Sequence, residues 1–150
     1  MATSNLELMR QALQLARQSG TEVPVGALLI SPAGKVIASA VNDREASHDP
    51  TGHAEILALR AGGQVLADWR LEDCKLIVTL EPCVMCSGAI LEARISRVIF
   101  GAYDLRKGAA GSAYDLLRDA RLGSGPEVIG GVLEAECSDL LSNFFGEQRA

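Results

Sequence analysis

Apolar residues near the start of the chain recur at the spacing of one helix face. Leu6, Met9, Leu13 and Ala16 stand three or four apart among polar neighbours, which predicts a helix over 5–18, capped by Ser4 or Asn5 and stopped at Gly20. The period then changes. Val25 to Ile30 is a nearly unbroken apolar run and Val36 to Val41 is another. Ser31-Pro32-Ala33-Gly34 between them is turn chemistry, so the pair reads as a hairpin. Asp49-Pro50-Thr51-Gly52 breaks the chain before a helix from His53 to about Ala61, which Gly62-Gly63 should end. Lys75 to Leu80 is a short buried strand, and Pro82 suits the first turn of a helix over Cys83 to Glu92. A strand over Arg97 to Gly101 follows, then a loop at Gly108-Ala109-Ala110-Gly111-Ser112 and a short helix through Leu117. Glu127 to Ile129 is a last strand and 134–146 a last helix. Strands alternating with helices after a hairpin predict an α/β layered domain with partly parallel strands. No internal repeat or linker divides the 150 residues, so they read as a single domain.

Composition adds limits to this picture. The chain is 48% hydrophobic but only 4% aromatic, so its core must rest on Leu, Ile, Val and Ala. No apolar run approaches the roughly 18–20 residues that span a bilayer. Glu7 and Arg10 interrupt the first apolar stretch, so no secretory leader is expected and the cytoplasm is the expected location. The net charge of -5 speaks against indiscriminate nucleic-acid binding, yet Arg94, Arg97, Arg106 and Lys107 gather around Asp104. On charge alone that cluster reads first as a solvated face. The acidic residues lie elsewhere, notably Glu134, Glu136 and Asp139.

Of four cysteines, Cys74 and Cys137 sit in apolar contexts and read as small buried fillers. Cys83 and Cys86 are different, because Cys-x-x-Cys is metal-ligand spacing and puts both sulfurs on one face of a helical turn. A helix N-terminus also favours the thiolate form that binds metal. With His53 they supply three zinc ligands. Catalytic zinc sites keep a fourth position for water, whose pKa the metal lowers to about 7. Glu55 is then free to carry protons. His53 and Glu55, two apart, can line one cavity only at the first turn of a helix. Two other readings stay open: a redox Cys-x-x-Cys pair, and a closed Cys₂His₂ site completed by His48 that would leave Glu55 idle.

The order His53-Ala54-Glu55 and Pro82-Cys83-Val84-Met85-Cys86 resembles the zinc-dependent nucleoside and nucleobase deaminases, with their His-x-Glu and Pro-Cys-x-x-Cys signature. Further segments resemble the branch that deaminates adenosine in tRNA. These are Val23-Pro24-Val25-Gly26-Ala27, Asn42, Asp49 to Glu55, Thr79 to Cys86, Phe100-Gly101-Ala102-Tyr103-Asp104, Gly108 to Ser112, and Leu140 to Phe145. The resemblance implies a three-layer α/β/α cytidine deaminase-like fold with a mixed five-stranded sheet, one Zn2+ per subunit and a homodimer. It implies that hydroxide on the zinc attacks C6 of the wobble adenosine while Glu55 shuttles the protons, giving inosine. Asn42, the amide of Ala54, the carbonyl of Pro82, Val25 and Leu80 would border the base. Asp104, Arg106, Lys107, Phe144 and Phe145 would contact the tRNA anticodon loop. A free nucleobase or nucleoside deaminase would share the zinc ligands and Glu55. Gly52 departs from the commoner Ala and should loosen the helix start. Tyr103 stands where relatives often carry a base. The sequence given ends at Arg149-Ala150, without a longer basic tail.

Overall fold

A computed structural model gives the fold of residues 3–149. The chain opens with α1 (Asn5–Ala16), held at its start by Ser4, whose hydroxyl accepts from Glu7 N–H. Its buried stripe is Leu8, Met9, Ala12, Leu13 and Ala16. Leu6, expected on that stripe, is instead exposed. The hairpin strands are β1 (Gly26–Ile30) and β2 (Val36–Val41), antiparallel as expected, with a register shift between Leu29 and Ile30. Gly26 is needed because a Cβ there would run into the Ala12 carbonyl, so α1 lies directly on the start of β1.

The remaining elements are α2 (Ala54–Leu66), β3 (Lys75–Leu80), α3 (Val84–Glu92), β4 (Arg97–Ala102), β5 (Glu127–Ile129) and α4 (Glu134–Arg149). The sheet order is β2-β1-β3-β4-β5, with β1 antiparallel to both neighbours and β3, β4 and β5 parallel. One apolar layer joins α2 and α3 to the sheet through Ala54, Ala58, Leu59, Ile90, Leu76, Val78 and Phe100. The opposite layer joins α1 and α4 through Leu8, Met9, Leu13, Ile77, Ile99 and Cys137. This is the mixed five-stranded, three-layer α/β/α architecture that the resemblance implied. Cys74 and Cys137 are buried fillers.

Several boundaries differ from expectation for physical reasons. Helix α2 runs through Gly62-Gly63 to Leu66 and ends where Ala67 turns left-handed. A Cβ at Gly62 would overlap Leu29, so close packing on the sheet outweighs the glycine's poor helix propensity. Helix α3 begins at Val84 with Cys83 as its N-cap, which leaves Pro82 outside the first turn; its carbonyl accepts from Ala109 N–H at 2.8 Å. The expected short helix near Leu117 is two single 3₁₀ turns, Leu116–Arg118 and Ala120–Leu122. Among the described residues, no helix is long and apolar enough to cross a membrane.

Candidate active site

Two helix starts meet beyond the carboxyl end of β3. His53 is the N-cap of α2 and Cys83 the N-cap of α3, both with extended backbone, and Cys86 lies one turn into α3. His53 Nδ1 stands 3.3 Å from Cys86 Sγ and 3.5 Å from Cys83 Sγ. All three donor atoms fall within 4.8 Å of one another. Ligand distances of about 2.0 and about 2.3 Å in tetrahedral geometry put N and S roughly 3.5 Å apart, so the donor set fits zinc. His48 is exposed and outside this group, so the closed Cys₂His₂ site does not form. The histidine within the sulfur pair also sets it apart from a redox dithiol.

The electrostatics of the site follow from this closeness. The hydrogen bond from Cys86, and then that with His53, pulls the Cys83 thiol down to about 4. The same bond with Cys83, together with burial, pushes Cys86 up. The Cys83 contact raises His53, against the effect of burial. Glu55 lies in the first turn of α2, only 4% exposed. Burial pushes its carboxyl up to about 7, while His53 draws it back. The constraint that His53 and Glu55 share a first helical turn is thus met.

Asn42 leaves the end of β2 and is buried, and its Oδ1 accepts from the Ala54 N–H at 2.8 Å. That bond fixes the orientation of the amide, with Nδ2 as the end left to donate. It also occupies the Ala54 amide, which reaches a ligand only through Asn42. Leu80 is half-buried at the strand end, whereas Val25 is core at 3% exposed, and its carbonyl accepts from Asn42 N–H. Gly52 precedes the cap of α2 and is not part of the helix. A Cβ there would strike the Asp43 carbonyl, so glycine seats the 43–52 loop instead of loosening the helix.

The second group of expected residues lies on the loop after β4. Asp104 is half-buried, and its Oδ1 accepts from the Arg106 and Lys107 amides at 3.1 Å each. Arg106 and Lys107 are exposed and have no acidic partner among the described residues, whereas Arg97, Arg118 and Arg121 are each ion-paired. Tyr103 meets Phe100 edge-on at 5.0 Å. Phe144 and Phe145 meet edge-on at 5.3 Å near the end of α4. Phe145 is exposed and Phe144 half-buried, so neither anchors the core.

Two carboxylates escaped the sequence reading. Glu22 is buried and accepts from the Arg44, Glu45 and Ala46 amides, steadying the loop that follows Asn42. Glu81, also buried, accepts from the Asp104, Ala110 and Ser112 amides. Their partners lie more than twenty residues away in sequence, so no local pattern marks Glu22. Glu81 carried one usable signal, an acid directly following a buried strand.

Residues 2–102 match the family model of the cytidine and deoxycytidylate deaminase zinc-binding region. The chain is 46% identical over 145 residues to the tRNA-specific adenosine deaminase of Haemophilus influenzae, covering 95% of this chain and 84% of that one. It is 43% identical over 143 residues to the Bacillus subtilis protein of the same name, covering 94% and 88%. A solved structure from a study of A-to-I editing by tRNA:A34 deaminases at the wobble position superposes with a TM-score of 0.86 at 39% identity, covering 90% of this chain and 99% of that one.

Proposed function

The chain belongs to the cytidine and deoxycytidylate deaminase zinc-binding family, and from that premise we propose that it hydrolyses the wobble adenosine of tRNA to inosine and ammonia. One observation carries the chemistry: three metal donors and a buried carboxylate meet at two helix starts. The high identity to tRNA-specific adenosine deaminases supports the substrate.

His53, Cys83 and Cys86 would hold one zinc per subunit. When bound, the metal supplies a water acidic enough to act as a nucleophile near neutral pH. Glu55 accepts the proton of the attacking water and passes it to the adenine ring, then takes the second proton from the hydroxyl newly bonded at C6 and delivers it to the amino group, which leaves as ammonia as the C6–N bond breaks. Burial raises the Glu55 carboxyl above its ordinary range, which favours its carrying a proton between the two transfers. Asn42 Nδ2 donates to the base, its orientation set by the Ala54 amide. Leu80 and the Pro82 carbonyl border the ring.

Arg106 and Lys107 meet RNA phosphates, which supply affinity and salt dependence without reading sequence. Asp104 contacts the nucleotide beside the target, and Phe144 and Phe145 wall the anticodon loop. The working form is a homodimer in the cytoplasm. Between α2 and α3 lies an open groove of about 1030 Å³, bordered by Leu59, Trp69 and Ala89. A second copy would cover this groove.

The test is inosine formation by zinc-analysed protein on an anticodon stem-loop with a wobble adenosine, alongside free adenosine, guanine and cytosine. Turnover on the stem-loop alone is the expected result. Turnover only on a free base or nucleoside would overturn the RNA reading while leaving the zinc ligands and Glu55 in place.

A further inference from the structure

Among the largest fully buried side chains Glu81 is the only acid, and the deamination chemistry gives it no task. A buried carboxylate is costly unless it is hydrogen-bonded. No cation pairs with it among the described residues. Every donor it finds comes from a single loop: Asp104 N–H to Oε1, and Ala110 and Ser112 N–H to Oε2, each at 3.0 Å, with the Ser112 hydroxyl completing the set. Converging amides of this kind form a nest for negative charge. Here the anion is supplied from inside the protein.

The loop is composed so that it depends on this anchor. Gly108-Ala109-Ala110-Gly111 offers no polar side chain to hold it. A Cβ on Gly108 would overlap the Glu81 carboxyl, so glycine permits the close approach. The same segment is stitched on both sides of Glu81: Glu81 N–H donates to the Ala102 carbonyl at 2.8 Å, Ala109 N–H to the Pro82 carbonyl at 2.8 Å, and Gly108 bridges Cys83. Downstream, Asp104 passes the constraint on, since its side chain fixes the Arg106 and Lys107 amides. A continuous path thus runs from the metal ligand Cys83 through Glu81 to the two free cations.

We propose that Glu81 is a positioning residue: its carboxylate holds the 104–112 loop, and with it Asp104, Arg106 and Lys107, in register with the zinc centre. This inference rests on the reading above that the loop contacts RNA. Glu81→Gln keeps the shape but sets an amide donor against donors already there.

The experiment compares wild type, Glu81→Gln, the double variant Arg106→Ala with Lys107→Ala, and all three changes together. Zinc content, kcat and KM are measured on an anticodon stem-loop from about 50 to about 300 mM salt. Glu81→Gln should keep its zinc, hold kcat within about twofold and raise KM about tenfold. Its salt slope should flatten by about 1.4, the value of two single-strand phosphate contacts. Adding Glu81→Gln to the double variant should change KM little, because both act through the same contacts. A double variant with altered KM and slope beside an unaltered Glu81→Gln would overturn the positioning role alone. Zinc loss, or a kcat falling as far as KM rises, would make Glu81 a structural support of the metal site instead. An unaltered double variant would remove the RNA-contact reading and this inference with it. Should Glu81→Gln fail to fold, Ser112→Ala removes one donor only; it should raise KM about threefold at unchanged kcat, and an unchanged KM would equally overturn the proposal.

Discussion

Replacing Glu55 by Gln separates metal binding from proton transfer. The amide fits the same buried space but cannot accept and return protons. Positioned acid–base groups contribute about 10²–10⁴ in rate, and Glu55 handles the proton more than once, so kcat should fall by about 10³ or more. Zinc should remain, because Glu55 is not among the clustered donors. Stability supplies a second readout. In metal-stripped protein burial lifts the Glu55 carboxyl from its ordinary 4.5 to about 7. A group raised in the folded state gives its stability below the unfolded value and loses it as pH climbs through the folded one. That rise corresponds to about 3 kcal/mol lost between roughly pH 4 and pH 8. Metal-free Glu55→Gln should therefore match metal-free wild type near pH 4 and exceed it by about 3 kcal/mol near pH 8. Zinc analysis, inosine assay and urea unfolding of chelator-treated proteins check the three parts. Substantial turnover by a zinc-loaded Glu55→Gln would refute the proton-carrying role. Equal pH dependence in the two stripped proteins would refute the burial argument.

Three further outcomes follow from the same geometry. Cys83→Ala should lose most of its zinc and show a lower Tm by calorimetry, since metal binding is coupled to folding; full zinc occupancy would remove Cys83 from the ligand set. The Glu22 carboxyl is held below its ordinary value, chiefly by the Glu45 amide, so its contribution is present near neutrality and fades as acid protonates it. Glu22→Gln should lower Tm clearly at pH 7 and progressively less as pH falls well below about 4, and a constant difference would contradict that sign. Trp69→Glu places a charge on the open face between α2 and α3. It should turn a dimer into a monomer in analytical ultracentrifugation, and an unmoved sedimentation profile would direct the search for the interface elsewhere.

Legibility in the sequence depended on how local each cause is. The hairpin could be read because two apolar runs flank a four-residue turn, and the metal donors because residue type and spacing encode ligation. The extension of α2 was hidden because Gly62 is judged by its helix propensity alone until Leu29 is seen beneath it. Pro82 suggested a first turn, but Cys83 takes the cap position in order to present its sulfur. The buried stripe of α1 shifted from Leu6 toward Leu8 and Ala12, because the strand beneath chooses which side of an apolar-rich helix it covers. Glu22 was invisible, and Glu81 nearly so, for a related reason. Each serves backbone amides that only the finished fold brings near.

His53 and Cys83 occupy the two positions where helices normally place a capping serine, threonine or aspartate. Neither makes a side-chain cap hydrogen bond, as expected where the side chain is given over to holding a metal. Asn42 compensates α2 from a distance by taking its first amide, but no oxygen side chain does the same for the opening amides of α3. Chelation would therefore be felt unevenly in amide hydrogen exchange. The N–H groups of residues 84–86 should lose protection well before the core strands, and those at 54–55 should hold longer. A zinc ion held by Cys83 would thus serve as the missing end-piece of α3, so that metal supply would govern local order as well as turnover.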